Sequence, residues 1–120
     1  MGTWGPKLYQ DDIAEDIKID YKELLQKGKT NEEAIKTMLL RYSEEIEDYD
    51  DGPVFWMVFA DVLWNYGRLT KEIKEKALRE IEIGENLKKW KEEGKEKEYK
   101  IRKQELEKLK EKLNTVMPEE

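Results

Sequence analysis

The chain predicts an all-α fold: a compact bundle of about four helices around one central apolar helix, plus a long charged helix at its C-terminal end. Three observations predict it. Residues 53–66 read Pro-Val-Phe-Trp-Met-Val-Phe-Ala-Asp-Val-Leu-Trp-Asn-Tyr and hold both phenylalanines and two of the four tryptophans of a chain that is 43% charged. So polar a chain has little else to fold around, which puts this segment at the centre. The segments on either side space their apolar residues by threes and fours, the period of a helix with one buried face. Most of these segments are also bounded by capping residues or glycine, and no run shows the period-two alternation of a strand.

The elements follow in order. Residues 1–10 carry two glycines and a proline, which discourage regular structure, yet Trp4, Leu8 and Tyr9 are large enough to lie against the core. A first helix is expected over about residues 12–27, with Asp11 or Asp12 as N-cap and Ala14, Ile17, Tyr21 and Leu24 on its buried face. Gly28 ends it. A second helix starts at Thr30, whose spacing to Glu33 is that of a capping box, and carries Ala34, Ile35, Met38, Leu39, Tyr42 and Ile46 as one face. It dissolves into the acidic run 47–52. The third is the apolar helix, with Pro53 at its first position and Gly67 as its stop. The fourth begins at Thr70, shows Ile73, Ala77, Leu78 and Ile81 on one side, and stops at Gly84. Residues 85–114 form a charged helix with a possible break at Gly94; Tyr99, Leu106 and Leu113 recur every seven residues, Leu109 and Val116 sit three further on, and Arg102 falls inside the seam. This divides the chain into a core domain with its arm, 1–84, and a charged extension, 85–120. Residues 95–120 hold few large apolar groups, so the extension is expected to be separable.

Composition excludes much chemistry. Histidine and cysteine are absent, which removes thiol and imidazole nucleophiles, disulfides and zinc-finger sites, and no cofactor motif is present. The apolar run is shorter than the roughly 20 residues that span a bilayer, and the opening segment has no apolar signal core. The expectation is a cytoplasmic protein that does not engage a membrane. Net charge is −6, unevenly spread: residues 1–52 carry 7 basic and 14 acidic side chains, residues 53–84 carry 5 and 5, and residues 85–120 carry 11 and 10. The acidic first half repels nucleic acid, whose recognition needs uncompensated Lys and Arg, and attracts a basic protein surface.

Four constellations carry the functional candidates. The acids Glu44, Glu45, Glu47, Asp48, Asp50 and Asp51, with Tyr49 among them as an aromatic anchor, form the partner-binding candidate. They do not form a calcium loop: with Gly52 as the loop glycine, the twelfth position is Val58, where a bidentate Glu is required. Asp61, alone in the apolar helix, must be paired or protonated if buried. It is read as a structural anchor, bonded to the Trp4 indole, to the backbone of the opening arm, or to Arg41, Arg68 or Arg79. The aromatic set Trp4, Tyr9, Phe55, Trp56, Phe59, Trp64 and Tyr66 is read as core rather than as a ligand pocket. The Lys/Glu-rich residues 88–112 pair opposite charges one turn apart and read as a solvated helix whose seam could dock a second copy.

The opening Met1-Gly2-Thr3-Trp4-Gly5 and the following Asp11-Asp12-Ile13-Ala14-Glu15-Asp16 resemble a group of small, acidic, uncharacterised bacterial proteins that begin Met-Gly-x-Trp-Gly. Asn31-Glu32-Glu33-Ala34, Asp50-Asp51-Gly52-Pro53 and residues 64–69 fit the same likeness, which spans residues 1–84. It implies a bacterial or phage source and a helical domain, and it brings no activity and no catalytic residues.

The function expected is therefore a small acidic interaction module without enzymatic activity, a neutralising partner such as an immunity protein, an antitoxin or an inhibitor of a nucleic-acid enzyme. Two alternatives stand beside it. One is a carboxylate- or metal-dependent hydrolase joining Asp61 to Asp12, Asp16 or Asp20, which are spaced one turn apart on the first helix. The other is a homo-oligomer built through the C-terminal helix.

Overall fold

The computed structural model describes residues 12–48, 51–83 and 96–117. Its described part is all-helical: α1 (Asp12–Gln26), α2 (Asn31–Arg41), α3 (Ser43–Glu47), α4 (Asp51–Asn65), α5 (Lys71–Ile83) and α6 (Glu96–Leu113). Trp4, Leu8, Tyr9, Tyr49, Asp50 and the region around Gly94 lie outside the described residues.

α4 takes the central place. Every residue from Met57 to Leu63 is buried, as are Gly52, Val54 and Phe55, so the helix is enclosed on nearly all sides. α1, α3, α5 and α6 all pack directly on it. α1 delivers Ala14, Ile17, Tyr21 and Leu24, the four residues its spacing nominated. Tyr21 sets its ring edge-on to Phe59 and Tyr66 and donates its hydroxyl to Asn31 Oδ1 at 2.7 Å. The Asn31 amide in turn donates to the Arg68 carbonyl at 3.0 Å, tying α1, the start of α2 and the α4–α5 connection together.

The ends of the helices follow from capping chemistry. Thr30 and Glu33 form the reciprocal capping box: the Thr30 hydroxyl accepts from the Glu33 N–H, and Glu33 accepts from the Thr30 N–H. Those bonds from Thr30, backbone first, hold the Glu33 carboxyl below its usual value. Gly28 and Gly67 stop α1 and α4 at φ of +83° and +69°. In each, the next residue's N–H reaches back five residues to a helix carbonyl, Lys29 to Leu24 and Arg68 to Leu63.

Two expectations change. The helix expected to run from Thr30 through Ile46 is two helices, divided at Tyr42. Tyr42 is buried, with its ring 5.5 Å from Phe55 and its hydroxyl donating to Asp20 at 2.6 Å. Held from α1 and α4 together, it turns the chain, and the acids expected to lie in a loop begin as the short helix α3. Burial, reinforced by the Asp20 carboxylate, raises the Tyr42 phenol far above its ordinary value, so it stays a neutral donor.

The larger correction concerns the C-terminal helix. Leu106, Leu109 and Leu113 belong to the same apolar core as α4, and Arg102 is buried with them. α6 packs on both α4 and α5, and Met117 beyond it accepts the Leu69 N–H on its sulfur. The heptad seam is real, but it is spent inside the chain; Val116, counted as part of it, is 93% exposed. α6 is a wall of the core, where the extension was expected to hold little of it. Deleting residues 95–120 removes three buried leucines, worth roughly 1.5–3 kcal/mol each. Their sum rivals the roughly 5–15 kcal/mol of a whole domain, so the truncated protein is expected to lose its cooperative thermal transition in circular dichroism.

A second prediction concerns Gly52. A Cβ at this position would stand 2.6 Å from the Ile46 carbonyl oxygen, a backbone atom that cannot step aside without moving α3. Alanine gains up to about 1 kcal/mol of helix propensity there, while overpacking costs roughly 1–3 kcal/mol. Gly52→Ala should therefore lower the urea midpoint, against the propensity trend.

Candidate functional site

Two places concentrate chemistry. The first surrounds Asp61. Its position on α4 points into the seam with α6, where its Oδ1 lies 2.6 Å from the Lys112 Nζ. The Asp61 side chain is 9% exposed and that of Lys112 is 31% exposed, so the carboxylate is enclosed and the ammonium reaches water on one side. Lys112 also stands 4.8 Å from the centre of the Trp64 ring, one turn along α4 from Asp61, in cation–π contact. The Trp64 indole N–H is buried with no acceptor among the described residues. Lys112, which the sequence did not nominate, is thus a cation that closes on Asp61, while Arg41, one of the arginines expected, faces Asp20 at 3.6 Å. The opening arm, the other expected source of partners, lies outside the described residues.

This arrangement anchors one helix to another. Among the described residues no three acids gather into a group able to hold a metal ion. Of the row on α1, Asp20 is engaged by Tyr42 and Arg41, Asp16 is exposed, and the side chain of Asp12 is not described. The hydrolase alternative finds no assembled site among these residues.

The second place is the corner where α3 packs on α4, with the end of α5 across a groove from it. Glu44, Glu47 and Asp48 are exposed, and Glu45 and Asp51 half-buried. Asp48 has a structural duty as well, since its Oδ1 accepts the Asp51 N–H at 3.0 Å and caps the entry to α4. Glu44, Glu45 and Glu47 form no ion pair with any described residue. Beside these acids runs an open groove of about 250 Å³, floored by Ile46, Pro53, Trp56 and Ile83 and edged by Asp48 and Glu80. Pro53 and Trp56 are one turn apart on α4; Glu80 and Ile83 are one turn apart on α5. Lys76, a turn earlier on α5, holds its ammonium 4.9 Å from the Trp56 ring centre.

The acids singled out from sequence are brought to one corner as far as they are described; Tyr49 and Asp50 fall outside. Trp56, Glu80 and Ile83 were not singled out as site residues. Trp56 reads as core from sequence, and only its partial exposure reveals it. Ile83 carried a faint signal: it is apolar, yet it falls off the 73–77–81 stripe and is 51% exposed.

No helix among the described residues is long and apolar enough to cross a membrane. Compared with known proteins, the chain matches no family model, no curated protein and no solved structure.

The Asp61–Lys112 contact generates a prediction. Removing Lys112 takes a cation from an enclosed carboxylate, and breaking such a pair from one side costs about 3 kcal/mol or more. Asp61→Ala leaves an ammonium that can still reach water, so its cost should fall nearer to roughly 1–3 kcal/mol. Urea unfolding of Lys112→Met, Asp61→Ala and the double variant should show the lysine change as the more damaging. The double variant should be less destabilised than the two single changes summed, with a coupling of about 0.5–3 kcal/mol. Strict additivity would mean the pair is not energetically linked.

Proposed function

We propose that this protein is an acidic interaction module that binds a basic surface of another protein, in the manner of a neutralising partner such as an immunity protein, an antitoxin or a phage or bacterial inhibitor. The observation that carries this reading is the corner of α3. There Glu44, Glu45 and Glu47 sit together on one short helix, not compensated by any described cation. Six of the eight residues from 44 to 51 are acids and none is basic. Such a surface raises the encounter rate with a positively charged partner and competes with phosphate for it. The likeness to small acidic bacterial proteins in residues 1–84 brings no activity of its own, and it would place the protein in a bacterium or phage.

The charges that should be tested are those without a structural duty. Asp48 caps α4, so reversing it would disturb the fold. Glu44→Lys with Glu47→Lys changes the field by four units and breaks no hydrogen bond. Against a partner recovered by pull-down, the double variant should associate on the order of tenfold more slowly at low salt, with the gap closing as the salt rises and screening shortens to about 8 Å. Its melting temperature should match that of the wild type. Equal association rates at low salt would remove the α3 acids from the mechanism.

A further inference from the structure

We infer that the groove beside the acids is an anchor site, and that the partner it takes is a basic amphipathic segment of another protein with one leucine- or phenylalanine-sized side chain lodged between Trp56 and Ile83. This rests on the charge reading above and adds to it the part that would give specificity. Charge alone steers; burial of an apolar anchor in a pocket is what usually carries affinity.

Four observations carry it. The groove has apolar walls from three helices, Ile46 on α3, Pro53 and Trp56 on α4, and Ile83 on α5. Its volume of about 250 Å³ exceeds the 150 Å³ cavity that holds a benzene, so one large side chain can enter. Among the described residues its charged edge, Asp48 and Glu80, is acidic on both the α3 and the α5 sides, and Glu44, Glu45 and Glu47 belong to the same α3 that supplies Ile46. A segment entering here meets acids on two sides of its apolar residue, which matches Lys or Arg flanking a Leu or Phe. Finally, Trp56 is only half-buried, so its ring stays open to an alkyl or aryl side chain beside the Lys76 ammonium that covers part of it. A second copy of this chain is a poorer occupant, because both copies carry a net charge of −6.

The test uses the intact protein and two synthetic peptides of equal positive charge. One is built of lysines with leucines at helical spacing; the other has serine in place of leucine. Binding is followed by the anisotropy of a fluorophore on the peptide. The leucine peptide should bind at least tenfold more tightly. The decisive variant is Ile83→Asp at the exposed end of α5, since it adds an acid while spoiling the anchor site. A purely electrostatic surface would bind the leucine peptide more tightly after this change; an anchor site should bind it at least fivefold more weakly. Trp56→Phe, which keeps an apolar wall, should retain most of the affinity, and circular dichroism should show both variants folded.

If both peptides bind equally and salt abolishes both, the charge reading stands and the anchor site is overturned. If the leucine peptide binds tightly but is indifferent to Glu44→Lys with Glu47→Lys, the charge reading falls and the basic partner proposed here falls with it, leaving an apolar groove alone. If neither peptide binds, both fall. A protein that sediments as a dimer, dissociated by Ile83→Asp, would assign the groove to a second copy and overturn the proposal.

Discussion

The structure depends on the need to enclose one helix. α4 is apolar on all sides, in a chain with a mean hydropathy of −0.98, and its burial is the main source of hydrophobic stabilisation available. An amphipathic helix needs one neighbour; a helix apolar all round needs several. α1, α3, α5 and α6 each cover part of it, so their outer faces are left to charge and their inner faces hold little more than a single stripe of apolar residues. The same demand explains why the C-terminal helix cannot stand apart: without α6, one side of α4 and of α5 would face water.

Enclosing α4 also means enclosing Asp61, and the chain solves this at the same seam. The two buried charged residues among those described, Asp61 and Arg102, lie on α4 and α6, the two helices that meet there. A seam lined only by leucines tolerates sliding by a turn with little penalty. A lysine that meets one particular carboxylate favours one register, because a misplaced α6 breaks the Asp61–Lys112 pair. The pair thus contributes less to the depth of the folded state than to its uniqueness.

Much of this was legible from the order of residues, and the remainder has a physical cause. Local features came through: the helices at 12–26, 31–41, 51–65 and 71–83, the Thr30–Glu33 box and the glycine stops are all decided within a few residues of chain. The burial of Asp61 was legible too, from its neighbours on α4. Its partner was not, because Lys112 is one lysine among many in a segment of alternating charge and only tertiary packing selects it. Nor was the docking of α6, where Leu106, Leu109 and Leu113 are diluted by lysines and glutamates until the segment reads as solvated. The split at Tyr42 escaped for the same reason: its cause lies on α1 and α4. The α3 acids were legible as a cluster, but the groove beside them is assembled from three helices, and Trp56 reads as core until the surface is seen.

The ion pair has a further consequence, for the order in which the chain acquires its structure. Asp61 precedes Lys112 by 51 residues. At synthesis rates of roughly 5–20 residues per second, it waits about 3–10 s for its cation to exist. Throughout that interval α4, with its tryptophans and phenylalanines, has been made while the helix that closes over it has not. A nascent chain in this condition presents an apolar helix before the helix that closes over it exists, and such transiently exposed surface is what makes an incomplete chain prone to aggregate. The carboxylate keeps that helix partly hydrated until α6 arrives. A residue that fixes register in the finished protein therefore also acts as a solubilising group during its birth.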